Sequence, residues 1–129
     1  MARVPVFISF DFDNDEDLKN LLAGQAKNPD SPFEIQNWSL KEPLSGNWQA
    51  KIRDRIKRSR QVIVICGTHT DRASGVSVEI EIARSEGIPY FLVWGRKEAQ
   101  SKKPRAARES DKIYKWTWDN LKSLISGDR

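Results

Sequence analysis

The chain alternates short apolar segments with segments whose apolar side chains recur at helical spacing, and this alternation constrains its fold more than any other feature. Residues 4–10, 61–67 and 89–94 are apolar at nearly every position, which is typical of strands buried on both faces of a sheet. Residues 33–38 alternate apolar and polar side chains, which predicts an edge or near-edge strand, and residues 113–114 are predicted to form a short fifth strand. The most apolar run, 61–67, is predicted to be the central strand.

Four amphipathic segments lie between or after these strands. Most of their apolar side chains are three or four residues apart, as on one face of a helix. They are Leu18, Leu21 and Leu22; Trp48, Ile52 and Ile56; Val76, Ile80 and Ala83; and Trp118, Leu121, Leu124 and Ile125. A helix between two strands returns the chain to the same edge of a sheet, so the strands pair in parallel. The sequence therefore predicts an α/β fold, a flavodoxin-like three-layer sandwich with a central parallel sheet of four to five strands. A single domain over residues 1–129 is expected.

In sheets of this kind, ligands bind beyond the carboxyl ends of the strands. Four segments are therefore predicted to converge there: residues 9–15, 38–45, 67–75 and 95–97. Any functional site is expected among them.

The cysteine count and the hydropathy of the chain exclude several classes of protein. The single cysteine, Cys66, can form neither an internal disulfide nor a zinc cage, and it favours a reducing compartment. No apolar run approaches the roughly 18 residues that span a bilayer, and residues 1–5 do not resemble a signal peptide. We therefore expect a soluble cytoplasmic protein with no membrane partner.

The predicted site loops lack several common catalytic motifs. A response-regulator receiver domain has an acidic pair that Asp11 and Asp13 match, but it also needs a phosphate-accepting Asp after its central strand, where residues 66–68 read Cys-Gly-Thr. Neither a P-loop nor a glycine fingerprint for dinucleotides is present. His69 is the only histidine and cannot form a metal site alone, and Cys66 is interpreted as a buried small apolar residue. No metal site is predicted.

Carboxylates remain as candidates for chemistry. On the predicted helix of residues 76–86, Glu79 and Glu86 share one face, whereas Glu81 lies about 200° around the axis from Glu79. Glu79 falls in the first predicted turn, beside the expected ligand crevice. From the residues alone two interpretations stay open: Glu79 complements the helix dipole, or it takes part in chemistry at the crevice.

Several segments, in their order and spacing, resemble one known family. They are residues 6–11, 38–44, 52–59 with 62–70, 79–83 followed by 87–89, and 114–121. Together they are similar to a Toll/interleukin-1 receptor (TIR) domain, and most closely to the bacterial TIR-like proteins typified by the TIR component of Thoeris anti-phage defence. The resemblance covers nearly the whole chain and implies the TIR variant of the predicted fold.

The resemblance implies an NAD⁺ glycohydrolase or ADP-ribosyl cyclase, which cleaves the nicotinamide–ribose bond and makes a (cyclic) ADP-ribose signal in bacterial anti-phage immunity. Glu79 is then the catalytic residue, because it matches the family's glutamate eight residues before a glycine, here Gly87. NAD⁺ is the substrate, and no further cofactor and no metal is implied. The implied partners are other TIR domains and a downstream effector that senses the nucleotide product.

Five residues are candidates for substrate binding under this interpretation. Phe10 and Trp38 would form apolar walls for the nicotinamide ring, while Ser9, Asp11 and Thr68 would hydrogen-bond to ribose or pyrophosphate. Alternatives stay open for three of them: the two aromatic rings belong to the core, and Asp11 caps the first helix.

The resemblance also has one departure and one alternative outcome. Family members usually carry an aromatic residue four positions before the glutamate, where this chain has Gly75, so one wall or packing anchor is expected to be missing. The alternative function is a non-catalytic TIR-like adaptor that acts by TIR–TIR assembly.

The net charge of +4 raises the question of a nucleic-acid partner. Residues 96–115 hold eight Lys or Arg and three Asp or Glu, so this segment alone exceeds the excess positive charge of the whole chain. It lacks the interleaved aromatic side chains of a base-stacking surface. We therefore expect no nucleic-acid partner, and instead pairing of acidic and basic surfaces between subunits or attraction of the NAD⁺ pyrophosphate.

Overall fold

Strands and helices alternate along the chain in the computed structural model, which describes residues 3–39, 46–97 and 100–127. Their bounds are β1 Val4–Ser9, α1 Glu16–Ala26, β2 Phe33–Trp38, α2 Gly46–Lys57, β3 Gln61–Cys66, α3 Ser74–Ser85, β4 Tyr90–Trp94, β5 Ile113–Tyr114 and α4 Trp118–Ser126. The strands pair in parallel in the order β2-β1-β3-β4-β5. The predicted α/β sandwich is confirmed, with β3 at the centre of the sheet and β2 at an edge.

Helices cover both faces of the sheet, and successive side chains of each strand enter two different apolar cores. The core beneath α1 and α4 includes Ile8, while the core beneath α2 and α3 includes its neighbour Phe7. In the central strand, Ile63 and Val64 divide in the same way, and both are fully buried. Burial of each such side chain contributes about 1.5–3 kcal/mol to stability. Residues that follow one another at a strand end therefore face opposite sides of the sheet.

Strand β2 contains an irregularity that decides which of its side chains faces which core. The register between β1 and β2 shifts by one residue after Val6, as at a β-bulge. Ile8 is consequently paired with Trp38. The next residue, Ser39, comes level with Ser9 and donates its backbone N–H to the Ile8 carbonyl at 3.0 Å.

Two helix ends have residues of the types that favour those positions. Thr117 Oγ1 accepts a hydrogen bond from the Asn120 backbone N–H at 3.1 Å and caps α4. Gly87, which follows α3, adopts a left-handed φ of 69° that favours glycine. The prediction for Leu21 is wrong: this side chain is 57% exposed, because Leu18 and Leu22 take up the face of α1 that meets the core.

The basic segment that follows β4, residues 96–115, is hydrogen-bonded to α3. The Ala106 backbone N–H donates to Ser77 Oγ at 3.1 Å, and the Arg84 guanidinium donates to the Ala106 carbonyl. Nearer its start, the Lys102 backbone N–H donates to the Gly67 carbonyl at 2.9 Å. The positive charges of this segment therefore begin at the carboxyl edge of the sheet and continue along α3.

Candidate functional site

Glu79 lies on the face of α3 that packs against the sheet. It is fully buried (0% exposed), like Val76 and Ile80 on the same helix, whereas Glu81 is exposed. Because α3 begins at Ser74, Glu79 lies in its second turn, and the first turn contains no acidic residue. The helix-dipole interpretation does not apply at this position, since that stabilisation is confined to the first turn. A fully buried carboxylate here needs another physical reason.

Two serine hydroxyls hold one oxygen of this carboxylate. Ser9 Oγ, at the carboxyl end of β1, donates to Glu79 Oε1 at 2.7 Å. Ser39 Oγ, immediately after β2, donates to the same oxygen at 2.7 Å. Both serines are buried, at 0% and 3% exposure. These hydrogen bonds are as short as those between a hydroxyl and an ionised carboxylate, and they attach α3 to the carboxyl ends of two neighbouring strands.

The second oxygen of Glu79, Oε2, is in a different situation. It is buried and accepts no hydrogen bond from any described residue. Burial raises the pKa of Glu79 from 4.5 to about 8, and the Ser9 and Ser39 hydroxyls oppose that rise because they favour the ionised form. A buried acid with a raised pKa and one unpaired oxygen, at the carboxyl edge of a parallel sheet, is typical of a catalytic or binding group.

Ser39 was not predicted as a site residue, although it contacts Glu79 directly. The sequence instead predicted the preceding residue, Trp38, as a substrate-binding residue at this edge. The shift in register between β1 and β2 turns Trp38 toward α1 and brings Ser39 to the α3 side. The sequence did contain one signal, a hydroxyl residue at the end of each of two neighbouring strands, Ser9 and Ser39.

The two aromatic candidates lie away from Glu79. Phe10 is 2% exposed and packs in the core beneath α1 and α4, with its ring 5.2 Å from that of Phe12. Trp38 is 40% exposed, and the Lys19 ammonium lies 4.7 Å from its ring centre. Both rings are thus on the opposite face of the sheet from Glu79. Phe10 lies in the core, which was the alternative to a role in substrate binding. Trp38 lies at the surface beside α1.

Asp11 and Thr68 lie near the carboxyl edge but do not join the Glu79 cluster. Asp11 Oδ2 accepts a hydrogen bond from Asn14 Nδ2 at 2.7 Å, so its carboxylate shapes the turn before α1. Thr68 is exposed. Thr70 is buried instead, and its Oγ1 accepts the Gly67 backbone N–H at 2.7 Å. Contact of Asp11 or Thr68 with a substrate stays a prediction.

A second buried carboxylate, Asp15, joins three of the predicted loops. Its side chain is 1% exposed, and a Cβ placed on Gly67 would lie 2.2 and 2.4 Å from its two oxygens. Arg96 Nη2 is 3.4 Å from Asp15 Oδ1 and 2.9 Å from Asp17 Oδ1. The loops after β1, β3 and β4 therefore converge as predicted.

The fourth predicted segment is described only in part. Trp38 and Ser39 are described, whereas residues 40–45, which carry most of one segment of the family resemblance, lie outside the described residues. Residues 98–99 of the basic segment also lie outside them.

Gly75 stands where the family resemblance leads us to expect an aromatic side chain. An aromatic ring from α2 lies at this position: Trp48 Cζ2 and Cη2 would be 3.6 and 3.8 Å from a Cβ on Gly75. Trp48 is 3% exposed and belongs to the core beneath α2 and α3. The space beside Gly75 is therefore occupied by an aromatic ring of the neighbouring helix, and the effect of the missing side chain on substrate binding stays a prediction.

Residues 3–39, 46–97 and 100–127 offer little other chemistry. In these ranges no group of three or more His, Cys, Asp or Glu side chains is placed to hold a metal ion. Nor does any helix there have the length and apolar character needed to cross a membrane. Cys66 is buried, and burial raises the pKa of its thiol to about 12. The thiol is therefore protonated at neutral pH and inert as a nucleophile.

The fold and the site together define a flavodoxin-like α/β domain with a buried glutamate at the carboxyl edge of its sheet. The sequence model of the family described as "Thoeris protein ThsB, TIR-like domain" matches residues 7–100, and the chain belongs to this family. Among solved structures, a prokaryotic SEFIR domain has a similar fold, with a TM-score of 0.58, 20% sequence identity, and coverage of 95% of this chain and 90% of that one. No curated protein sequence matches the chain.

Proposed function

We propose that this chain is an NAD⁺ nucleosidase, a glycohydrolase or cyclase, that releases nicotinamide and makes a (cyclic) ADP-ribose signal in the cytoplasm during anti-phage defence. The observation that carries the proposal is the state of Glu79, a buried carboxylate held through Oε1 while Oε2 stays unpaired among the described residues. Membership of the Thoeris TIR-like family supports the biological setting.

One carboxylate is enough for this reaction. The nicotinamide ring of NAD⁺ is cationic, so the bond from ribose C1′ breaks with its electron pair moving to the ring nitrogen, and the leaving group departs neutral without a general acid. An ordinary glycoside needs two carboxylates for the equivalent step. The ribose becomes oxocarbenium-like, and the negative charge of Glu79 stabilises it electrostatically.

The reaction is completed by a nucleophile at C1′. In hydrolysis, water forms the new bond to C1′ and releases a proton, which gives ADP-ribose. In cyclisation, a nucleophile in the adenosine part of the same molecule, an adenine nitrogen or a ribose hydroxyl oxygen, forms that bond, and a proton leaves to give a cyclic ADP-ribose isomer. Nicotinamide is a product of both routes.

The unpaired oxygen of Glu79 has a specific role in this proposal. Oε2 accepts a hydrogen bond from a hydroxyl of the ribose that carries nicotinamide. In the free protein Oε2 is a buried polar atom with no hydrogen-bond partner among the described residues, which costs about 1–3 kcal/mol, and that free energy is regained when the ionised carboxylate accepts the ribose hydroxyl. The cationic nicotinamide lowers the pKa of Glu79, so the bound substrate itself favours the ionised form that the chemistry needs.

The experiment measures nicotinamide release from NAD⁺ by purified protein at high concentration, with two matched variants. Glu79→Gln is expected to lower release at least about 100-fold, because it removes the charge that stabilises the transition state. Glu81→Gln changes an exposed glutamate of the same helix and is expected to leave release unchanged. Mass spectrometry with chromatography of the product then separates hydrolysis from cyclisation. Equal release by the Glu79→Gln variant and the parent contradicts the proposal.

A second candidate function is a TIR-like adaptor that acts by TIR–TIR assembly. It is favoured by the burial of Glu79, which has no exposed surface for a substrate to reach in the single chain. It is also favoured by the concentration of acidic side chains in residues 11–17 and of basic ones in residues 100–115, which gives neighbouring subunits complementary charges to pair. An adaptor predicts salt-sensitive self-association, measured by analytical ultracentrifugation, with no nicotinamide release at any protein concentration. An enzyme that works through assembly predicts that release rises with association, and its product is then read by an effector.

A further inference from the structure

Ser39 is a buried hydroxyl residue whose side chain makes hydrogen bonds that strand pairing does not need. It is 3% exposed and lies immediately after β2. Its backbone N–H donates to the Ile8 carbonyl at 3.0 Å, which already completes the pairing of the two strands. The side chain is therefore free to serve another purpose, and it contacts Glu79.

The direction of the Ser39 hydroxyl is set by its other contacts. The Phe10 backbone N–H donates to Ser39 Oγ at 3.1 Å and occupies an acceptor position of this oxygen. The single hydroxyl hydrogen then has two acceptors to choose from, Glu79 Oε1 at 2.7 Å and the Ile8 carbonyl at 3.4 Å. The shorter contact to a carboxylate is the stronger hydrogen bond. The hydroxyl therefore donates to Glu79.

The irregular register of β2 is what brings this hydroxyl to the site. Without the shift after Val6, Trp38 would come level with Ser9; with it, Ser39 does. A one-residue change in register turns every following side chain to the other face of the sheet. Bulges of this kind re-aim side chains and are common beside active sites. The bulge exchanges an indole ring for a hydroxyl beside Glu79.

We propose that Ser39 is a positioning residue for Glu79: with Ser9 it fixes Oε1 from two strands and leaves Oε2 as the oxygen that meets the substrate. This inference rests on the proposed function of Glu79. A carboxylate held by one hydroxyl is able to rotate about its terminal torsion, which is broad for this side chain. A carboxylate whose Oε1 is held by two hydroxyls keeps one orientation.

Among the described residues only neutral groups face the carboxylate, so removal of a hydroxyl changes the Glu79 pKa in a known direction. Burial and the hydroxyls of Ser9 and Ser39 are the influences on the Glu79 pKa, and no charged side chain in the described ranges contributes. Cys66, in the same core, stays neutral because burial raises its pKa to about 12. Loss of the Ser39 hydroxyl therefore raises the pKa of Glu79 further.

The test compares Ser39→Ala with Ser31→Ala. Ser31 is a matched control because it is also buried, at 6% exposure, and precedes the same strand, where its hydroxyl donates to the Phe33 carbonyl at 2.6 Å. Ser39→Ala is expected to lower kcat for nicotinamide release about ten- to hundredfold with little change in KM. It is also expected to move the acidic limb of the pH profile to higher pH. Ser31→Ala is expected to lower stability but to change neither kcat nor the acidic limb of the pH profile.

A second readout keeps this inference separate from the proposed function. The pH dependence of unfolding reports the titration of Glu79 without any substrate, when each serine variant is compared with and without Glu79→Gln. Ser39→Ala is expected to shift that titration to higher pH, and Ser39→Cys, a weaker hydrogen-bond donor that keeps the size of the side chain, to shift it by less. A parent protein that releases no nicotinamide overturns the proposed function alone. A Ser39→Ala titration that coincides with that of Ser31→Ala overturns the role of Ser39.

Discussion

Two buried carboxylates lie at the carboxyl edge of the sheet, and the structure treats them differently. Glu79 is 0% exposed and Asp15 is 1% exposed, and each has one oxygen without a hydrogen bond from the described residues. Arg96 lies 3.4 Å from the other oxygen of Asp15. Within the described part of the chain, the other oxygen of Glu79 is held only by the neutral hydroxyls of Ser9 and Ser39.

The presence or absence of a cation explains what each carboxylate does. Burial raises the pKa of Asp15, but Arg96 opposes that rise, and the pair connects the loops after β1 and β4. Burial raises the pKa of Glu79 to about 8, and no cation among the residues that the structure describes opposes that rise. Asp15 therefore serves the structure of this edge, whereas Glu79 has no cation beside it among the described residues and keeps its proton up to about pH 8. Uncompensated buried acids are retained where chemistry uses them.

The largest effect is expected from Gly67→Ala, which tests the structural role of Asp15. The new Cβ would lie 2.2 and 2.4 Å from the Asp15 oxygens, so the carboxylate has to leave its place beside Arg96. We expect a loss of about 2–4 kcal/mol in the free energy of unfolding, measured by chemical denaturation. Gly24→Ala is the control: nothing lies within 4 Å of its Cβ position, and alanine favours the helix. Equal stability of the two variants would contradict the close packing of Asp15 on Gly67.

The next effect is the pH dependence of stability in Glu79→Gln. Between pH 4.5 and about 8 the folded chain keeps a proton on Glu79 that the unfolded chain has released. The contribution of Glu79 to stability therefore falls as pH rises through that interval and stays low above it. Relative to its value at pH 4, the free energy of unfolding of Glu79→Gln is expected to exceed that of the parent by a few kcal/mol (~3) at pH 9.

Asp15→Asn sharpens this comparison. The pKa of Asp15 is also raised by burial, so its contribution to stability likewise falls as pH rises. Arg96 opposes the effect of burial on this pKa. The difference between Asp15→Asn and the parent is expected to level off at a lower pH than the difference for Glu79→Gln. Thermal unfolding from pH 4 to pH 9 measures both. Coincident curves would show that Arg96 does not distinguish the two carboxylates.

The smallest effect is expected from Arg96→Ala. The Arg96 side chain is 32% exposed and pairs with buried Asp15 as well as exposed Asp17, so its loss is expected to reduce stability by about 1–2 kcal/mol. Arg58→Ala breaks an ion pair with Asp54 in which both side chains are more than 60% exposed, and it is expected to change stability by less than about 0.5 kcal/mol. Denaturation in low and high salt measures both, and an equal response would remove the distinction between buried and exposed pairs.

Most of the fold followed from hydrophobic pattern alone. The apolar runs gave β1, β3 and β4, the alternating run gave edge strand β2, and helical spacing gave the buried faces of α2 and α3. These patterns are predictive because each strand and helix has to bury a face whose period the sequence shows. The burial of Leu21 was not predicted correctly, because Leu18, Leu21 and Leu22 are so close in sequence that the pattern does not show which of them face the core.

The site was predictable only in part, for physical reasons. Glu79 stood out through its residue type and the family resemblance, but Ser39 depends on a register shift between two strands, which no local pattern reveals. Asp15 directly precedes α1, yet its side chain makes no capping hydrogen bond. Its burial comes from contacts with Gly67 and with Arg96, 81 residues away in the chain. Such long-range contacts have no signature in the sequence around Asp15.

The pH profile of nicotinamide release tests the central claim most directly, namely that the buried Glu79 carboxylate acts on NAD⁺ in its ionised form. For the parent protein, kcat/KM is expected to rise with pH to a plateau, with an apparent pKa near 8, the value for Glu79 in the free protein. The apparent pKa in kcat is expected to be lower, because the cationic nicotinamide favours the ionised carboxylate. Glu79→Gln supplies the background at every pH. Release by the parent that is flat from pH 5 to pH 9, or matched by Glu79→Gln, would contradict the account.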